Sequence, residues 1–190
     1  MRLADSQQDW VIGHQDEVWF SRLATPHLHA WTAGTAMPLQ LKTASRQDPD
    51  PKALSCYGLW REDTAEMMLR FVEKRPVSSV TTQFLHWLGT VLAAQGKKVL
   101  LMFWDNASWH VSKEVTAWLK AYNRHIKKEG GCRLLVCRLP LKSPWLNPIE
   151  AKWVHGKKNT VAAERILSAA ELKQRLCLYY GCPALESIKQ

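Results

Sequence analysis

Three acidic residues have the type and the setting that metal-dependent chemistry requires. Asp105 directly follows the continuous apolar run Val99–Trp104, Glu150 lies in a proline-rich segment, and Asp16 follows a short apolar stretch. A carboxylate at the mouth of a buried strand is costly unless its charge is compensated, and a divalent cation held by several carboxylates is one compensation. Asp16 lies 89 residues before Asp105, and Glu150 lies 45 residues after it. Only tertiary folding can therefore assemble a site from them.

Two Asp and one Glu suit the cleavage of phosphodiester bonds. Such chemistry needs an activated nucleophile and a stabilised leaving oxygen, and two Mg²⁺ ions about 3.5–4 Å apart supply both. Each acid also has a structural alternative. Asp105 can form a turn after its strand, Glu150 can complete a capping box with Asn147, and Asp16 can be a solvated strand residue with Glu17 as a rival ligand.

The bulk composition is that of a basic globular domain. The chain has 190 residues, an apolar fraction of 46% and a net charge of +9, with a pI of about 9.5, which favours a polyanionic partner such as DNA. Its five cysteines include no Cys-x-x-Cys pair, so a zinc site or a disulfide framework is not expected. No apolar stretch approaches the roughly 18 residues of a membrane helix, and no signal peptide is evident. These features predict a cytoplasmic protein without membrane contact.

The hydrophobic periodicity predicts an α/β layered domain. Strands are expected over residues 10–20, 37–44, 53–60, 67–72, 99–104 and 133–139. One helix is expected from Ser79 to Gly96, and a second begins near Ser112. A third begins at the capping segment Asn147–Glu150, with Pro148 in the first helical position, and a fourth spans about 168–180 after the capping residue Ser168. Strands come first and then alternate with helices, as in a mixed sheet covered by helices.

Three segments resemble mariner-type transposases of the bacterial insertion-sequence branch. Asp105–His110 is similar to the family's Asp-Asn-Ala-x-x-His segment. Leu139–Trp153 resembles the segment Leu-Pro … Ser-Pro-x-Leu-Asn-Pro-Ile-Glu-x-x-Trp, which carries the third acid. Asp16 and Glu17, after an apolar stretch, resemble the first acid and its usual neighbour. The resemblance spans about residues 10–160.

The resemblance implies a ribonuclease H-like fold, with a mixed five-stranded sheet flanked by helices on both faces. It further implies a DDE triad of Asp16, Asp105 and Glu150, which would bind Mg²⁺ or Mn²⁺, and cut-and-paste transposition by a homodimer in the bacterial nucleoid. Residues 1–190 are expected to form a single catalytic domain, with the DDE core over about 10–160. The N-terminal helix-turn-helix region of the family, which reads the transposon ends, is expected to be absent.

Five further residues are candidates for contact with DNA. Lys152, Lys157 and Lys158 share or extend the Glu150 helix, and lysines there suit phosphates without reading sequence. Asn106 and His110 follow the second acid. The alternatives are a solvated lysine face, a turn asparagine and a structural histidine.

Three functions are compatible with these features. The first is a transposase domain that cleaves DNA strands and transfers the 3′ ends to a target. The second is a catalytically inactive or domesticated module for DNA binding or oligomerisation. The third is a ribonuclease H-like nuclease, because one fold supports several functions.

Overall fold

The computed structural model describes residues 8–23, 44–141, 143–161 and 165–190. Within these ranges one sheet of five strands is found. The strands are β1 (Trp10–Ser21), β2 (Ala53–Arg61), β3 (Met67–Val72), β4 (Val99–Trp104) and β5 (Arg133–Arg138). The strand predicted over residues 37–44 falls outside the described residues except for its last position, which is not in a strand. The other predicted strands agree with the structure to within one residue at each end.

The sheet is mixed, with the order β3-β2-β1-β4-β5. The first three strands form an antiparallel meander, whereas β4 pairs in parallel with both β1 and β5. The parallel pairs are joined by helical crossovers, as parallel pairing requires. The central strand β1 carries Asp16, the first of the three predicted site acids.

In the parts of the chain that the structure describes, four α-helices cover both faces of the sheet, as predicted. They are α1 (Ser78–Ala94), α2 (Lys113–Glu129), α3 (Ile149–Thr160) and α4 (Ala169–Tyr180). On one face α1 and α2 bury Val80, Phe84 and Val115 against the sheet. On the other face α3 and α4 bury Trp153 and Leu172 in a second core. No helix in the described parts of the chain has the length and hydropathy to cross a membrane.

Of the two predicted helix N-caps, the one at α4 is confirmed and the one at α3 is wrong. The hydroxyl of Ser112 accepts a hydrogen bond from the Val115 amide, and Ser168 likewise caps α4. The predicted capping box at α3 is absent: Pro148 is the N-cap, and no side chain caps the helix. The Asn147 amide instead donates to the Gln15 carbonyl of β1, 3.3 Å away, so it ties the start of α3 to the central strand.

Polar residues in the middle of β1 do not interrupt this strand. Gly13 lies where a Cβ atom would come within 2.8 Å of Leu59 Cδ1, so a side chain there would disturb the core. His14 is buried and its Nε2 lies 2.6 Å from Glu62 Oε1. The strand therefore continues through these positions and carries Asp16 near its centre.

Candidate active site

The parallel pairing of β1 with β4 brings the first two acids side by side. Paired residues run from Trp10 with Val99 to His14 with Phe103, a constant offset of 89 positions. That offset equals the spacing of Asp16 and Asp105. Two residues beyond the last pair, Asp105 is therefore level with Asp16, directly after β4 ends.

Glu150 faces the same region from the first turn of α3. Together with Asp105 it lines a pocket of about 280 Å³. The other lining residues are Asn106, Ala107, Leu139, Pro140, Leu141, Ser143 and Asn147. The Asn106 amide donates to the Leu139 carbonyl at 2.6 Å and so joins the loops that follow β4 and β5. The end of β4, the loop after β5 and the start of α3 thus enclose one site.

Asp16 is not among the residues that line this pocket, and its environment is nearly closed. The residue is 8% exposed, and its Oδ2 accepts a hydrogen bond from Trp153 Nε1 at 3.0 Å. Burial raises the pKa of Asp16 to about 8, and the negative charges of Glu17 and Glu150 add to this effect. The protein therefore holds the Asp16 carboxylate where its negative charge is poorly stabilised.

Asp105 is held by its neighbours in a different way. Its Oδ1 lies 2.6 Å from His110 Nδ1 and accepts from the Ala107 amide at 3.0 Å. Burial opposes ionisation of Asp105, but these two hydrogen bonds and the charges of His110 and Arg138 together outweigh it, and the pKa of Asp105 is lowered. Burial likewise opposes protonation of His110, but its hydrogen bonds to Asp105 and Glu17 prevail and raise the pKa of the imidazole. Asp105 is therefore an anion on the pocket wall.

The donor set fits a divalent cation by its chemistry. Burial and the charge of Asp105 raise the pKa of Glu150, although Lys157 partly offsets them, and Glu150 in turn raises the pKa of Asp16. Three carboxylates that repel one another suit oxygen-seeking ions such as Mg²⁺. In the described ranges, however, no three His, Cys, Asp or Glu side chains converge closely enough to hold a metal. Asp16 and Asp105 are each hydrogen-bonded to other groups of the protein in this arrangement.

Glu17, the rival first acid, points away from the pocket. Successive strand residues alternate between faces, so Glu17 lies on the face opposite to Asp16. It contacts His110 Nε2 at 2.8 Å and Trp109 Nε1 at 3.1 Å, and its side chain is 3% exposed. The geometry therefore favours Asp16 over Glu17 as the acid of the pocket.

The candidates for contact with DNA have different environments. Lys157 and Lys158 are exposed and line a groove of about 510 Å³ with Trp19. Lys152 lies over the Trp60 ring, with Nζ 5.0 Å from the ring centroid. The expectation for His110 needs correction, since its side chain is completely enclosed and cannot reach a phosphate. Both ring nitrogens of His110 face carboxylates, those of Asp105 and Glu17. The contact with Glu17, 93 positions earlier in the chain, could not be read from the sequence.

Trp153 is the residue of this site that sequence reasoning missed. Its position within the third motif was evident, but its indole contact with Asp16 depends on packing of α3 against β1. Gly58 on the neighbouring strand allows this approach, because a Cβ atom there would lie 2.3 Å from Trp153 Cη2. An unusual glycine in the middle of a strand was the available signal.

The family model described as "DDE superfamily endonuclease" matches residues 14–173, which include all three acids. The chain belongs to this superfamily. The resemblance seen in the sequence is thereby confirmed for the family. No relative is found among curated protein sequences.

Solved structures confirm the fold. The chain is similar to Mos1 transposase in its paired-end complex with the left transposon end, with a TM-score of 0.68 and 14% identity over 96% of this chain. It is also similar to the Mos1 mariner paired-end complex with Mn, with a TM-score of 0.64 and 16% identity over 90% of this chain. The isolated catalytic domain of Mos1 matches with a TM-score of 0.60 and 15% identity over 96% of this chain. The chain spans about half of the Mos1 chains in the two complexes, at 51% and 48%, and 75% of the isolated domain. The ribonuclease H-like fold predicted for the chain is therefore shown.

Proposed function

We propose that this chain is the catalytic domain of a transposase that cleaves DNA strands and joins the resulting 3′ ends to target DNA. The observation that carries the proposal is that Asp105 and Glu150 line one pocket in a DDE chain, while Asp16 is level with Asp105 on the adjacent strand and its pKa is raised in part by the charge of Glu150. Similar structures named as complexes of a transposase with its transposon end, and with Mn, support this assignment. Two copies would act together on the transposon ends, and the natural setting would be the bacterial nucleoid.

Asp16, Asp105 and Glu150 would hold Mg²⁺ or Mn²⁺, with two ions in the working site. When bound, such ions supply an activated nucleophile and stabilise the leaving oxygen. The protein's own contribution is orientation. Asp105 presents its carboxylate to the pocket while His110 and the Ala107 amide hold one oxygen. Trp153 lies on the same helix as Glu150 and donates a hydrogen bond to Asp16, which links the acid of β1 to α3.

The exposed lysines of α3 would place the DNA backbone over this pocket. Lys157 and Lys158 lie two turns after Glu150 on the same helix. Contacts between lysines and phosphates fix the position of a duplex without reading its sequence, and they weaken as salt rises. The isolated domain would therefore bind DNA with little sequence preference.

The test of this function is cleavage by Asp105→Asn. We expect wild-type protein with Mn²⁺ to nick supercoiled DNA and to join a 3′-hydroxyl oligonucleotide to plasmid DNA, and the variant to do neither. DNA affinity at low salt should stay the same or rise, since one negative charge is removed. Asp9→Asn is the matched control, because Asp9 pairs with Lys98 outside the pocket. Nicking by Asp105→Asn at the wild-type rate would refute the proposal.

A second candidate is a DNA-binding module without catalysis. The side-chain arrangement favours this candidate, because Asp16 and Asp105 both make hydrogen-bond contacts with other protein groups. Among the described residues, no three His, Cys, Asp or Glu side chains lie close enough together to bind a metal ion. A Mn²⁺ titration separates the two candidates, because a competent site gains thermal stability on binding the ion. No change in melting temperature up to millimolar Mn²⁺ would favour the inactive module. Cleavage of RNA–DNA hybrids in preference to duplex DNA would instead identify a ribonuclease.

A further inference from the structure

Glu17 is a buried carboxylate that the proposed reaction does not use directly. Its two oxygens contact three donor groups: Gln15 Nε2 at 3.0 Å, Trp109 Nε1 at 3.1 Å and His110 Nε2 at 2.8 Å. A buried charge is retained at a cost unless it is fully hydrogen-bonded. Glu17 has these hydrogen-bond contacts, and one of them is with His110, which also contacts Asp105 on the pocket wall.

His110 connects Glu17 with Asp105. Its Nε2 faces Glu17 Oε1, and its Nδ1 lies 2.6 Å from Asp105 Oδ1. The Trp104 ring packs against the imidazole, with centroids 4.0 Å apart and the ring planes tilted by 33°. The His110 carbonyl accepts a hydrogen bond from Arg138 Nη2 at 3.0 Å. A rotation of the imidazole would break both carboxylate contacts. The orientation of this ring therefore sets the position of Asp105 Oδ1.

The two hydrogen bonds on Asp105 fall on the same oxygen. His110 and the Ala107 amide both engage Oδ1, and among the described residues no hydrogen bond falls on Oδ2. The side chain is 48% exposed and lines the pocket. One carboxylate oxygen is thus committed to the protein, and the other is left for a ligand.

We propose that Glu17 is a positioning residue, which acts through His110 to hold Asp105 in the orientation that binds a divalent cation. The inference rests on the proposed metal-dependent function of the pocket. It follows the general pattern in which a carboxylate orients a histidine next to a metal site. In this protein the histidine would orient the carboxylate that binds the ion, so the contacts run from Glu17 through His110 to Asp105.

The protein contains a matched pair that lacks this connection. On the same strand, His14 Nε2 lies 2.6 Å from Glu62 Oε1, and the His14 side chain is 5% exposed. The other ring nitrogen, Nδ1, has no hydrogen-bond partner among the described residues. The His14–Glu62 pair therefore contributes to the fold but leads to no acid of the pocket.

The experiment compares Glu17→Gln with Glu62→Gln in the full chain, with Mn²⁺ affinity measured by calorimetry. We expect Glu17→Gln to weaken Mn²⁺ binding by about 10–100-fold, the range typical of lost outer-shell partners. Glu62→Gln should bind Mn²⁺ like the wild type, even where its melting temperature falls. Equal Mn²⁺ affinity of wild type and Glu17→Gln overturns the proposal, and so does an equal loss in both variants.

A metal-free measurement separates this inference from the proposed function. The ¹³C resonance of the Asp105 carboxyl group, assigned with Asp105→Asn, should move in Glu17→Gln and stay in place in Glu62→Gln. Absence of that movement overturns the positioning role. Absence of Mn²⁺ binding by the wild type, together with a moved resonance, overturns the metal-dependent function instead.

A milder variant covers the case in which Glu17→Gln does not fold. Trp109→Phe removes only one of the hydrogen bonds to Glu17. It should shift the Asp105 resonance and weaken Mn²⁺ binding in the same direction, by a smaller factor. Wild-type values for both measurements in a folded Trp109→Phe protein would count against the role of Glu17.

Discussion

Replacing Asp16 with asparagine should stabilise the metal-free protein. The pKa of Asp16 rises from 3.8 to about 8 on folding, chiefly because the carboxyl group is buried. A carboxyl group with a raised pKa in the folded state destabilises the fold wherever it must ionise. Asparagine keeps a side-chain oxygen that can accept the hydrogen bond from Trp153 and carries no charge.

The size of the effect follows from the pKa shift. The cost of ionised Asp16 is absent below pH 3.8, grows between pH 3.8 and pH 8, and is constant above pH 8. At about 1.4 kcal/mol per pH unit, it amounts to about 4 kcal/mol at pH 7. For a chain of 190 residues, that corresponds to roughly 10 °C in melting temperature.

The assay is thermal unfolding of both proteins in chelator-treated buffer at pH 4, 7 and 8.5. Asp16→Asn should melt well above the wild type at pH 7 and 8.5, and the difference should vanish towards pH 4. Added Mn²⁺ should raise the melting temperature of the wild type only, since ion binding to the folded state stabilises it by mass action. The control Asp9→Asn should change stability by less than about 0.5 kcal/mol, as expected of a surface substitution. An Asp16→Asn protein less stable than the wild type at pH 7, or an advantage that persists at pH 4, would refute the reasoning.

Three further variants test the surroundings of the site. Gly58→Ala should cost about 1–3 kcal/mol by overpacking, because its Cβ atom would lie 2.3 Å from Trp153 Cη2, and a denaturant midpoint equal to the wild-type value would contradict the packing described. The double variant of Lys157 and Lys158 to alanine should weaken DNA binding uniformly across sequences and reduce the slope of log affinity against log salt by about 2, and an unchanged slope would remove α3 from the DNA path. Ser112→Ala should lower stability by about 1 kcal/mol in the same unfolding assay by removing the α2 cap, whereas a neutral effect would mean that water replaces it.

The helices and strands were largely predictable because their signals are local. The stripe of Val80, Phe84, Leu88 and Leu92 has helical spacing, and all four side chains are buried in α1. The run Val99–Trp104 predicted a strand buried between neighbours, and β4 lies between β1 and β5. The periodicity of apolar residues shows which face of a helix or strand is apolar, and that face is buried in the core.

Local rules failed where a distant partner competed. Asn147 has the side chain of a helix cap, yet it donates to the Gln15 carbonyl, 132 residues earlier in the chain. His110 has the position of a surface residue near a helix start, yet two carboxylates from separate elements enclose it. In both cases a buried polar group far along the chain needed a partner, and this need outweighed the local preference.

The sequence alone does not decide between Asp16 and Glu17 as the first acid, because the answer depends on how β1 pairs in the sheet. Adjacent strand residues point to opposite faces, so a shift of one residue in the pairing of β1 with β4 would exchange their places. The offset of 89 positions agrees with the packing on one face, where Val11 is buried and Gly13 leaves room for Leu59 and Leu100. That register turns Asp16 towards α3 and leaves Glu17 to His110. The pairing register therefore decides which of the two carboxylates faces α3 and which one contacts His110.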